Sequence, residues 1–489
     1  MASRPRAREF EFVPRVINAV KIKRVFFFTA DAELRDSIKS LERSQPWIRA
    51  EILSGTRAAS EIASDEAMLF LCDDTGLSLL EEDAVRSRNP NAVLALLSYH
   101  KLVQISPPQV ALQSHPYTAK ADLIFAVNRS DFPPTSILPS VVRAAEDLLN
   151  ILKFSRVRRY IFHIVDDEPR WFSQFLPVLY GIIGQRADIR ITRTYEESLE
   201  FLFGVKDESR IAAADYLRKG HGDDVVCLIT DIFFPRGDDL QSPAGRDLIR
   251  LMQRFYPRVP IIIASKAPEV HELKESGFVL PKGDPGSLEK LKDFILNLTG
   301  LGDFLIFDDS GRELRRAKTI HGICRILIEA ERETPQGRRL RGILERYGKE
   351  DKFSNWLYMH SYRELGDRLR PRRARGRQLI TLLKRNLSSE IARMARTPLI
   401  FDHRKIFGLE DLRTAIEAAN PESLQFLSDN DIISSWLDRQ SYAELAEELR
   451  PVHDSGPDLV RTLVRIIEKW IDLYHRSGRD TEGTPPSDY

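Results

Sequence analysis

Four apolar runs, each ended by a polar residue, constrain this chain more than any other feature. YIFHIV opens at Tyr160 and gives way to Asp166 and Asp167, VVCLIT gives way to Asp231, VPIIIA to Ser265, and GFVLP to Lys282. Successive runs of this kind read as strands of an open parallel α/β sheet. The carboxyl ends of such strands lie side by side, so polar residues far apart in sequence are expected to meet in one crevice.

Acids, a hydroxyl and a lysine in one crevice suit phosphoryl transfer to a carboxylate. Acids and a backbone carbonyl hold Mg²⁺, a hard ion that takes oxygen ligands and keeps some of its waters. The metal and the lysine then offset charge on the incoming phosphoryl oxygens, and the hydroxyl follows the phosphate. An acid at a strand end can also do no more than cap the next helix against its dipole. That reading serves any one of the five residues, but not all five in order on successive runs.

On these residues, 157–299 resembles the receiver domain of two-component response regulators. The resemblance implies that Asp166 and Asp167 are the metal-binding acidic pair and that Asp231 is the phosphoacceptor. Ser265 would be the switch hydroxyl and Lys282 the conserved-type lysine, with the main-chain carbonyl of Phe233 as a further Mg²⁺ ligand. Pro235, four residues past Asp231, also fits. A histidine kinase or phosphotransfer protein is the implied upstream partner. The chain departs from the pattern in the long segment RGDDLQSPA after Pro235, in a short span from Ser265 to Lys282 with little room for a full helix, in Val279 where an aromatic is usual, and in Gly283 where proline is usual.

Residues 23–154 repeat the rhythm with altered chemistry. RVFFFTAD, AMLFLCDD, NAVLALLSY and ADLIFAVN alternate with helical patterns, which implies a second parallel sheet. Alignment on the receiver-like segment puts Ala30 and Asp31 at the acidic pair, Asp73 near the acceptor, Ser98 near the switch hydroxyl and Asn128 near the lysine. With an acid and the lysine gone, this reads as a degenerate receiver that serves as a protein-binding or dimerisation module, since packing and catalysis rest on different residues.

The remainder carries a duplication. FSNWLYMHSYRELGDRLRP, 353–371, matches the segment 433–451, pairing Trp356 with Trp436, Leu357 with Leu437, Tyr362 with Tyr442 and Leu365 with Leu445. Ser361 and Ser441, each three residues before a glutamate (Glu364, Glu444), read as capping boxes, and Pro371 and Pro451 as helix stops. Trp356, Leu357, Leu365 and Leu369 read as core. Each copy is expected to be a helical hairpin followed by a longer helix, so the module is expected to be all-α. Arg368, Arg370, Arg372, Arg373, Arg375 and Arg377 could contact nucleic acid or an acidic partner, in a segment, 361–385, that is similar to a helix-turn-helix. The second copy, ELRPVHDSGPD, lacks that charge, which favours a protein-interaction module.

With 73 basic and 72 acidic residues among 489, no global bias towards nucleic acid or anionic membrane exists. Cys72, Cys227 and Cys324 are too dispersed for a metal site or disulfide framework and read as buried thiols in a reducing compartment. No signal peptide or membrane span is evident, which points to the cytoplasm. His321 and His360 read as surface or core histidines without the positioned partner that catalysis needs, and no enzyme motif is present. The expected organisation is a tail at 1–22, a degenerate receiver-like domain at 23–154, a receiver at 155–300, helical repeats at 301–398 and 399–478, and a disordered tail at 479–489. The two α/β domains are expected to be doubly wound and flavodoxin-like. The expected function is a response regulator of a phosphorelay, phosphorylated on Asp231 with Mg²⁺, acting on a downstream protein and able to form a homodimer. The alternatives are a DNA-binding transcription regulator and a non-phosphorylated scaffold.

Overall fold

The computed structural model describes residues 20–29, 31–44, 48–52, 66–73, 89–98, 121–128, 131–153, 160–213, 220–266, 277–370, 374–394, 397–452, 454 and 456–477. Residues 1–19, the tail 479–489, Ala30, Pro371, Arg372, Arg373 and most of the span between Ser265 and Lys282 lie outside these residues, whereas Ile22, expected in the N-terminal tail, is buried with its amide bonded to Glu146. The chain divides into two compact units, Asn18–Gly181 with Ala187–Lys292, and Ile182–Arg186 with Asp293–Tyr489.

The first unit holds two parallel sheets. In chain order its first sheet is built from β1 (Arg24–Phe28), α1 (Ala32–Ser44), β2 (Arg49–Ile52), β3 (Met68–Cys72), β4 (Ala92–Ser98), β5 (Leu123–Ala126) and α2 (Pro134–Lys153). Its second is built from β6 (Ile161–Val165), α3 (Pro169–Ile183), β7 (Asp188–Thr192), α4 (Tyr195–Phe203), β8 (Val225–Thr230), α5 (Ala244–Phe255), β9 (Ile261–Ser265), β10 (Phe278–Pro281) and α6 (Ser287–Leu298). The five strands run in the order β2-β1-β3-β4-β5 in one and β7-β6-β8-β9-β10 in the other, the same topology twice. Strands β3, β4, β5, β6, β8 and β9 are buried at every position, which is why they read as unbroken apolar runs.

The second sheet's edge at β7 is covered by α2 of the first. Asp147 accepts a hydrogen bond from the Ile189 amide at 2.8 Å and from the Tyr180 hydroxyl at 3.1 Å, and Arg143 holds it at 3.0 Å. A carboxylate thus takes an edge amide that would otherwise offer itself to another strand.

The second unit is duplicated but not all-helical, a correction to the sequence reading. The first copy opens with an antiparallel hairpin, β11 (Phe304–Phe307) and β12 (Glu313–Ala317), followed by α7 (Ile320–Glu331), α8 (Pro335–Lys349), α9 (Lys352–Met359), α10 (Arg363–Leu369) and α11 (Gly376–Met394). The second repeats the order with β13 (Leu399–Phe401), β14 (Arg404–Ile406), α12 (Leu409–Glu417), α13 (Pro421–Asp429), α14 (Ile432–Arg439), α15 (Ala443–Leu449) and α16 (Gly456–Arg476). The hairpins share the string LIFD, Leu305–Asp308 and Leu399–Asp402, so the duplication is longer than the two tryptophan segments.

Ser361 and Ser441 are not capping-box residues. They sit at φ 66° and 70°, two positions past the ends of α9 and α14, just after the C-caps His360 and Gln440. The Ser361 amide donates to the Tyr358 carbonyl and the Tyr362 amide to the Leu357 carbonyl; Ser441 and Tyr442 do the same with Asp438 and Leu437. This is the left-handed Schellman ending of the preceding helix, which competes for the same residues as a cap of the next and here prevails. Helices α10 and α15 start at their tyrosines with no side-chain cap.

Trp356 and Trp436 are 1% and 0% exposed, in one core cluster with Leu357, Leu365 and Leu369. Their indole N–H groups donate to the carbonyls of Gly302 and Thr397, each just ahead of its copy's hairpin. His360 and its counterpart Gln440 reach the same two carbonyls. Both histidines considered from sequence have positioned partners, contrary to the sequence reading: His360 Nδ1 also meets the Asp438 carboxylate at 3.0 Å, and His321 pairs with the Ser441 hydroxyl.

Candidate phosphoacceptor site

Strands β6, β8, β9 and β10 end together, and their last backbone bonds set the site. The Asp231 amide donates to the Val165 carbonyl and the Lys282 amide to the Ser265 carbonyl. Pairing at this register brings the carboxylate of Asp231 between two partners. The Ser265 hydroxyl donates to Asp231 Oδ1 at 2.6 Å, and the Lys282 ammonium is bonded to Asp231 Oδ2 and lies 2.6 Å from Asp166 Oδ2. Asp166, Asp231, Ser265 and Lys282 therefore form one connected cluster, with Asp167 following Asp166 at the strand end and Phe233 two residues past Asp231.

The electrostatics are those of acids withdrawn from water. Burial, opposed by Lys282 and reinforced by Asp231, pushes the Asp166 carboxyl up to about 7. Burial and the neighbouring Glu168 push Asp167 up to about 7 as well. Burial works against the charge on Lys282, but Asp166 and Asp231 outweigh it and hold the ammonium above its ordinary range.

All the candidate metal donors are oxygens, the set Mg²⁺ takes, and two desolvated acids with raised pKa values are a charge excess that a divalent cation would relieve. Among the described residues, no group of three or more acidic, histidine or cysteine side chains stands ready as a chelate. The Lys282 ammonium instead holds Asp166 and Asp231 together.

Two glycines shape the cluster. A Cβ on Gly245, in the first turn of α5, would overlap the main-chain carbonyl of Asp231. Gly245→Ala is expected to cost about 1–3 kcal/mol by overpacking, read as a lowered Tm. Gly283 has φ 84°, and a Cβ there would come within 3.3 Å of the Trp171 ring. Proline, locked near φ −65°, cannot occupy this turn, which accounts for the departure seen in sequence. The loop after Pro235 is fixed through Arg236, which pairs with Asp247 at 2.7 Å and Glu208 at 3.3 Å and lies over the Tyr195 ring. Asp238 and Asp239 are exposed at its tip.

The first sheet arranges its counterparts differently. The Asp73 carboxylate takes the hydroxyl of Thr29, and Arg35 bonds the Thr29 carbonyl at 3.1 Å. Asp31 caps α1 through the Glu33 amide, Asn128 turns to Asp131, and Ser98 is buried. In the second unit Arg368 pairs with Glu390, Arg370 with Asp351 and Arg377 with Glu333, while Arg375 is exposed.

Comparison with known protein families, with curated proteins and with solved structures finds no match to this chain.

Proposed function

We propose that the chain is a phosphoryl-accepting signalling protein, a response regulator in which Asp231 takes the phosphoryl group. The observation that carries this is the Asp231 carboxylate held at once by a hydroxyl from β9 and an ammonium from beyond β10, with Asp166 on the far side of the ammonium. The strand order, common to flavodoxin-like doubly wound sheets, supports a receiver fold for 155–300 and a degenerate one for 23–154. Asp166, Asp167, Asp231 and the Phe233 carbonyl would hold Mg²⁺, which neutralises charge on the phosphoryl oxygens. Ser265 and Lys282 then reorient towards the phosphate, and a charge change of that kind biases a two-state loop or interface. A histidine kinase or phosphotransfer protein in the cytoplasm would supply the phosphoryl group, and the duplicated module would engage a downstream protein. The pairing of three of the six arginines with acids weakens the DNA-reading alternative.

The test is intact-mass measurement after exposure to Mg²⁺ and a small phosphodonor, with peptide mapping to Asp231. Wild type without an adduct and without Mg²⁺ binding would leave the scaffold reading. The metal also has a signature. Acids raised to about 7 must lose protons before they ligate. Mg²⁺ affinity is therefore expected to rise with pH up to about 7 and level off above it, with protons released on binding below that point. In the metal-free protein the same acids bind more protons folded than unfolded between their ordinary range and about 7. Stability is accordingly expected to fall as pH rises across that window, and calorimetry in two buffers checks both.

A further inference from the structure

A second cation stands at the mouth of the acceptor site. Lys266 follows Ser265 directly, is exposed, and rests its ammonium 4.3 Å from the centroid of the Trp171 ring. The same ring carries Arg170 at 4.7 Å and donates its indole N–H to Glu168 at 2.7 Å. Glu168 also neutralises Arg170 at 2.9 Å, whereas Lys266 forms no salt bridge among the described residues. Gly283, beside Lys282, leaves room for the ring. Trp171 is thus a perch that fixes a positive charge beside Ser265, one that no salt bridge takes up among the described residues. Burial, Arg170 and Lys282 all lower the pKa of Lys266, while Glu168 and Asp231 raise it, so Lys266 lies within electrostatic reach of the site.

Resting on the reading of Asp231 as a phosphoacceptor, the geometry points to Lys266 as a specificity-determining residue that favours acyl phosphates as donors by receiving their carboxylate leaving group. In the transfer, a carboxylate oxygen of Asp231 attacks phosphorus while the bond from phosphorus to the acyl oxygen breaks. The leaving carboxylate departs with that electron pair, in line and away from Asp231, which is towards the mouth. It carries a full negative charge at the place where Lys282 is already committed to Asp166 and Asp231. Among the described residues Lys266 is the cation beside Ser265 that no salt bridge engages, and the indole face holds it there without cancelling its charge.

The experiment compares two small donors on the full chain with Mg²⁺. Acetyl phosphate releases acetate, whereas phosphoramidate releases neutral ammonia, which offers Lys266 nothing to stabilise. Lys266→Met is expected to lower the ratio of the acetyl phosphate rate to the phosphoramidate rate by about tenfold, the scale of one charge-assisted hydrogen bond. Lys266→Arg should restore most of the ratio, and Trp171→Leu, which removes the perch, should lower it in the same direction. If wild type takes no adduct from either donor, the phosphoacceptor reading falls and the inference with it. If adducts form at Asp231 but Lys266→Met leaves the ratio unchanged, the inference alone is overturned.

Discussion

Trp436→Ala is expected to destabilise the second unit by about 3–5 kcal/mol, the usual cost of emptying a buried aromatic site. The side chain is fully enclosed and its indole N–H is tied to the Thr397 carbonyl, so truncation loses packing and leaves a buried carbonyl short of a donor. Gln440 bonds the same carbonyl and limits the second loss. Trp356→Ala should cost a similar amount, and denaturant melts of the full chain followed by tryptophan fluorescence would measure both. A change of less than about 1 kcal/mol would contradict the packing described.

Asp231→Asn is expected to abolish the phosphoryl adduct while changing stability little, because the amide keeps a partner for Ser265 and Lys282 retains Asp166. Lys282→Met is the informative companion. It leaves the buried Asp166 and the partly buried Asp231 without their cation, which is expected to cost about 3–5 kcal/mol. Added Mg²⁺ should return part of that loss, since it supplies the missing positive charge to the same carboxylates. Thermal melts with and without Mg²⁺, alongside intact mass, separate the loss of chemistry from the loss of fold. Persistence of the adduct in Asp231→Asn would remove Asp231 as the acceptor.

The strand ends were readable in the sequence because a buried parallel strand leaves a run of apolar letters and its site residue is the first polar letter after it. Asp166, Asp231, Ser265 and Lys282 all obey that rule. Gly245, Gly283 and Trp171 could not be found that way, since what fixes them is the crossing of one loop by another, which has no period along the chain. The serines show a different limit. Ser-Tyr-x-Glu serves a capping box or the end of the preceding helix equally well, and only the Tyr362 and Tyr442 amide bonds to Leu357 and Leu437 decide between them. The hairpins were missed because strands of three to five residues are too short for alternation to register, although the repeated LIFD marked both.

Two buried ion pairs that join the two copies fall at positions where the copies differ. His360 of the first meets Asp438 of the second, and Glu390 of the first meets Arg439 of the second at 3.2 Å, both pairs almost wholly buried. Their counterparts are Gln440, Tyr358, Trp470 and Met359, none of which carries a full charge. Exchanging the copies along the chain would therefore separate the four groups of these two pairs and put uncharged side chains in their places at the seam. The duplication carries a direction: one half is built to be first and the other second, so an array lengthened by copying either half would lack these two ion pairs at its new boundary.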